Sequence, residues 1–126
     1  MRCTLLVGAL LLSACDPGVQ VQFLVGAAGD DSTALHSAQI AAALAQRHDL
    51  KPDPLNSSCA VAQFHSRMGP TSWLDFCVDQ KAQSVSFFLS EFITTAWGPR
   101  GDSLQRELDD TLRIRFGDRV TRIDSP

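Results

Sequence analysis

The side chains with which this chain could move a proton or hold a metal are three histidines, His36, His48 and His65, and fourteen acids. No two histidines form an H-x-x-x-H pair and no C-x-x-C occurs, so a metal centre would need ligands gathered by the fold. Cys59 and His65 invite reading as a thiolate–imidazole pair, the arrangement that activates a sulfur nucleophile. Two carboxylate pairs stand out, Asp30-Asp31 and Asp75-x-x-x-Asp79. The first is better explained as helix capping. The second mixes a strand position with a turn and lacks the ladder of a calcium loop. Acid pairs of the glycosidase kind are spatial, so sequence spacing does not test them.

Phosphate chemistry finds no support in the motifs. Gly26-x-x-Gly29 matches neither a dinucleotide fingerprint nor a P-loop, and no G-x-S-x-G is present. Asn56-Ser57-Ser58 fits a glycosylation sequon by chance. No catalytic residue, cofactor or metal is therefore expected. The formal charge of −3 argues against a nucleic-acid partner.

The most specific stretch lies near the N-terminus. Arg2 precedes the uncharged run Thr4 to Leu12, which is well short of the ~20 apolar residues that span a bilayer. Leu12-Ser13-Ala14-Cys15 then closes it. This resembles the lipobox of bacterial lipoproteins. The resemblance implies a signal peptide at 1–14 that is removed, and a Cys15 that carries the fatty acyl groups as the new N-terminus. Several chains on one cysteine hold a protein essentially permanently at the bilayer. The expected location is a membrane, with the domain facing the periplasm. Asp16 resembles the inner-membrane retention signal and Pro17 does not reinforce it, so inner and outer membrane both stay open.

The resemblance also settles the cysteines. With Cys3 in the leader and Cys15 acylated, Cys59 and Cys77 remain, in a compartment where thiols are oxidised. A disulfide between them is expected in place of a reactive thiol. It would close a loop of about 19 residues, worth roughly 3 kcal/mol on the chain-entropy model.

These residues need elements to position them. A 44% apolar, 20% charged composition is ordinary for a globular domain, and residues 15–126 suit one. Residues 15–29 read as a lipidated tether and possible first strand, in which Val19 to Val25 alternates as a half-buried strand would. Residues 30–126 read as a single α+β domain. Asp30-Asp31-Ser32 offer caps for a helix from about Thr33 to Arg47, with Leu35 and the pair Ile40/Leu44 edging its apolar face. Lys51 to Pro54 reads as a stiff connector. Cys59–Ser66 and Trp73–Val78 suggest a hairpin centred on Met68, which would set Cys59 opposite Cys77. Ser84–Ile93 is a third strand, with Val85, Phe87 and Leu89 on one face and Phe88 and Phe92 on the other.

Asp102 can cap a second helix bearing Leu104, Leu108 and Leu112, and Arg119–Ile123 would return as a strand. The competing reading makes Leu112–Ile123 a hairpin around Gly117-Asp118. The six arginines from Arg100 to Arg122 are matched by nearby acids, and read as a salt-bridged face or as a row toward anionic lipid or a partner.

The order is thus (β)αβββαβ: an antiparallel sheet with two helices on one face, with a ferredoxin-like arrangement as one form of it. The expected role is a protein-interaction or accessory module of the cell envelope. Its partners would be the bilayer through Cys15 and another envelope protein, with Phe88, Phe92 and Trp97 as the contact surface. The alternative is a periplasmic enzyme or small-ligand binder. A pocket holding two of His65, Asp75 and Glu91 would favour that alternative.

Overall fold

The computed structural model describes residues 18–26, 32–53, 59–67, 73–81, 83–92 and 96–124. Cys15, the Asp30-Asp31 pair and the Asn56-Ser57-Ser58 sequon lie outside the described residues. Nine-residue β1 (Gly18–Gly26) shows strict alternation, with Val21, Phe23 and Val25 fully buried and the residues between them half-buried. It is followed by α1 (Ser32–Arg47), β2 (Lys51–Pro52), β3 (Ala62–Arg67), β4 (Trp73–Lys81), β5 (Ser84–Phe92), α2 (Pro99–Phe116), a 3-10 turn (Gly117–Arg119) and β6 (Val120–Asp124).

All six strands join one antiparallel sheet in the order β2-β3-β4-β5-β1-β6. Residues 18–26 are thus an interior strand, paired with β5 on one side and β6 on the other. Without β2 and β3, the chain order β1-α1-β4-β5-α2-β6 is that of a β-α-β-β-α-β unit, extended here at one edge by two further strands.

Period-two burial decides which face is covered. Leu74, Phe76 and Val78 of β4 and Val85, Phe87 and Leu89 of β5 join the β1 triplet on one side. Both helices close that side with Ala41, Leu44 and Ala45 of α1 and Leu104, Leu108 and Leu112 of α2. The leucine spacing was the correct signal at the C-terminal end: a helix and a strand form there, not a hairpin.

Four details differ from expectation. The β3/β4 pairing is displaced, so that Gln63 and not Cys59 faces Cys77. The bridge between Cys59 and Cys77 nevertheless forms, with the Cα atoms 5.9 Å apart. It does so because residues 59–61 leave the strand path, while Ala60 N–H donates to Asp79 Oδ1 and Val61 N–H to Val78 O. The buried stripe of α1 is Thr33, Ser37, Ala41, Leu44 and Ala45, whereas Leu35 is 59% exposed. Small side chains at those positions let the helix lie close to the sheet. Lys51-Pro52 is a short edge strand, a position that tolerates proline.

The fourth difference concerns the start of α2. The helix begins at Pro99 in the first helical position, three residues before Asp102. Gly98 makes no side-chain cap. Instead its N–H donates to both carboxylate oxygens of Glu91, at 3.1 and 3.0 Å, from the end of β5. Glu91 is only 5% exposed, and its carboxylate does from a neighbouring strand what a capping-box glutamate does from within a helix. The same carboxylate explains Gly101. A Cβ there would collide with Glu91 Oε1 and lie 2.7 Å from the Trp97 ring.

In an open helix interior, Gly→Ala stabilises by roughly 0.5–1 kcal/mol. At Gly101 two buried or half-buried side chains would have to move, and overpacking of that kind costs about 1–3 kcal/mol. Gly101→Ala is therefore expected to lower the urea midpoint at unchanged slope. A rise in the midpoint would show that Glu91 does not hold the position described.

Candidate functional site

The second face of the sheet carries the side chains with chemistry. Its half-buried rows run across the strands. At one end Trp73 of β4 pairs with Phe92 of β5, and Phe92 with Gly18 of β1. The Trp73 and Phe92 rings are 5.3 Å apart between centroids and tilted by 30°. The next outward-facing row is Lys51, His65, Asp75, Ser90 and Gln20. The third is Gln63, Cys77, Phe88, Gln22 and Ile123, on which the disulfide sits.

The second row gathers titratable groups because β2 runs along the sheet edge. Asp53, just after β2, donates its N–H to Gln63 O at 2.9 Å and so brings its carboxylate over β3. Asp53 Oδ2 then lies 3.3 Å from His65 Nδ1. The contact is close but poorly aligned, and this buried ring nitrogen has no hydrogen-bond partner among the described residues. Directly opposite His65 in the register is Asp75. Burial pushes the Asp75 carboxyl above the usual carboxylate range; His65 works against that shift, and the Asp53 charge adds to it. A carboxyl held toward its protonated form beside an imidazole and a second carboxylate is an arrangement through which a proton can be passed. Among the described residues no group of three His, Cys, Asp or Glu is arranged to hold a metal ion.

The sequence-selected residues divide between the two faces. His65 and Asp75 come together. Glu91 does not join them: it faces the helices and caps α2. Phe88 and Phe92 share the second face, but Trp97 is set apart from them. It packs against the core beside Gly101, so the expected trio is not one surface. Trp73 stands in its place next to Phe92. Asp53 escaped sequence reading because nothing in a Lys-Pro-Asp-Pro connector announces an edge strand.

The helix layer has its own polar ties. His48 Nε2 donates to Glu107 Oε2 at 2.7 Å, and Arg47 pairs with the other oxygen. The hydrogen bond from His48, helped by the Arg47 charge, holds the Glu107 carboxyl below its ordinary range. Arg100 donates to His48 O and to Ser66 Oγ, tying α1, α2 and β3 together. Arg106, Arg113 and Arg122 pair with Asp102, Asp109 and, for Arg122, also Asp124. Three of the six C-terminal arginines thus form a salt-bridged face, while Arg100 and Arg119 donate to carbonyl and hydroxyl oxygens. Arg115 differs: its guanidinium donates to His36 Nδ1 at 3.0 Å across the helix pair. It borders a groove lined by Ile40, Thr111 and Ile114, and Ile114 is 87% exposed. Ile114 falls outside the buried Leu104/Leu108/Leu112 stripe by which the helix is recognised in the sequence.

Because the Asp75 carboxyl is raised in the folded state, the fold binds a proton there more tightly than the unfolded chain does. Its ionisation therefore costs stability as pH rises through and above roughly pH 4, and costs nothing below it. Asp75→Asn is expected to be more stable than the parent at neutral pH, with the advantage vanishing in acid. Urea midpoints across pH 3 to 8 check this, and a pH-independent difference would refute it.

Searches against protein-family models, curated proteins and solved structures found no match for this chain.

Proposed function

We propose that the protein is a membrane-anchored lipoprotein facing the periplasm, whose domain serves as a protein-interaction or accessory module of the cell envelope. The anchor rests on Leu12-Ser13-Ala14-Cys15, and the Cys59–Cys77 bridge is in keeping with an oxidising compartment. The observation that carries the interaction role is the outward display of Ile114 and Leu35 on the helix layer, 87% and 59% exposed. The inner surface of that layer already covers the sheet, so these side chains contribute nothing to the core. Arg115 borders the groove formed by Ile40, Thr111 and Ile114. An apolar floor with a guanidinium group at its margin suits a protein segment that offers one apolar anchor and a carboxylate.

One observation favours a second reading, an enzyme or small-ligand binder: the Asp53–His65–Asp75 row described above. The two readings separate by mutation. Ile114→Glu should abolish crosslinking to an envelope partner in membranes while leaving the thermal midpoint within a degree or two. His65→Ala should leave partner recovery unchanged. Loss of an envelope activity with His65→Ala, and no effect of Ile114→Glu on crosslinking, would reverse the assignment. Intact-mass measurement of the membrane-extracted protein should show acyl groups that vanish in Cys15→Ser. An unacylated chain would remove the anchor.

A further inference from the structure

We infer that the domain does not hang freely from its anchor but seats the Trp73–Phe92 end of its sheet in the headgroup layer of the bilayer. This rests on Cys15 being the acylated residue. Only Asp16 and Pro17 separate it from Gly18, the first residue of β1. Three Cα–Cα steps reach at most about 11 Å. The polar layer on each side of a bilayer is itself roughly 5–8 Å thick. A tether that short cannot lift a domain clear of the surface, so whichever end of the sheet holds Gly18 must meet the headgroups.

The register identifies that end. Gly18 pairs with Phe92, and Phe92 with Trp73. One step along, Val19 pairs with Glu91, the carboxylate against which Gly98 and the Trp97–Gly101 contact are built. Both tryptophans of the chain, which has no tyrosine, therefore lie at the end where the chain enters from Cys15, Trp73 beside Phe92 and Trp97 beside the start of α2. Neither Trp73 nor Trp97 is fully buried. The opposite end, at Gly26 and Ser84, has Arg119 bound to Gly26 O and to Thr33 Oγ1, and no tryptophan. Indole rings prefer the membrane–water boundary, where an apolar body and a polar N–H are both satisfied.

Among the described side chains at this end, the contact is aromatic more than electrostatic. Arg100, which lies at this end, is already engaged by His48 O and Ser66 Oγ. Salt should consequently affect it little.

The test uses the full acylated protein in vesicles of phosphatidylethanolamine and phosphatidylglycerol whose acyl chains are brominated near the headgroup. Trp73 emission is obtained from Trp97→Phe, and independently as the difference between the parent and Trp73→Phe, in case Trp97→Phe disturbs the start of α2. Trp73 emission should be roughly halved relative to unbrominated vesicles and should shift to the blue. Aqueous iodide should quench it less than in unacylated Cys15→Ser, and high salt should not reverse either effect. Equal emission and iodide access in the acylated, vesicle-bound protein and in Cys15→Ser would overturn the docking while leaving the anchor intact. Absence of acyl groups by intact mass would instead remove the anchor, and the docking with it.

Discussion

The insertion of β1 between β5 and β6 is the constraint on which the remaining structure depends. Nine residues of β1 pair with β5 and five with β6, so the first strand in sequence lies in the interior of the sheet. Its inward triplet, Val21, Phe23 and Val25, is completely buried and lies beneath both helices' shared core. Because side chains alternate strictly, the same register that buries this triplet fixes Gln20, Gln22 and Gly18 on the other face. The same register fixes which residues of β5 and β6 stand beside them on that face.

The buried Glu91 is the second organising group. A carboxylate 5% exposed is costly unless it receives hydrogen bonds, and the Gly98 N–H supplies two contacts at the positive end of α2. It joins the end of β5 to the start of the second helix, sets Gly101 as the residue that can pass it, and places Trp97 alongside. A few side chains thus settle where α2 begins. The helix does not rely on a cap of its own.

What could be read from the residues was what repeats. The alternation in β1 and the leucine spacing in α2 follow from period, the order of elements apart from the two-residue β2 follows from period and breaker residues together, and the two helices fall on one face as that pattern suggests. What could not be read was set by non-repeating contacts. The β3/β4 register depends on where residues 59–61 leave the sheet, a choice made by Asp79 and the bridge and not by the turn residues. Leu35 was misplaced because Thr33 and Ser37, polar by type, face the sheet in its stead. The candidate site was half legible. His65 and Asp75 stand out by residue type, but Asp53 reaches them only through a two-residue edge strand containing proline. Trp97 was grouped with Phe88 and Phe92 by composition, and the helix start separates them.

The interior placement of β1 has a mechanical consequence. An anchor before Gly18 would pull along the axis of a strand that is hydrogen-bonded on both sides. Ladder bonds in an antiparallel sheet lie perpendicular to the strands. Tension on the tether would therefore load the two ladders in shear, many bonds at once, and would not peel an edge strand one bond at a time. A chain held by such an anchor would resist through the strongest direction of its sheet.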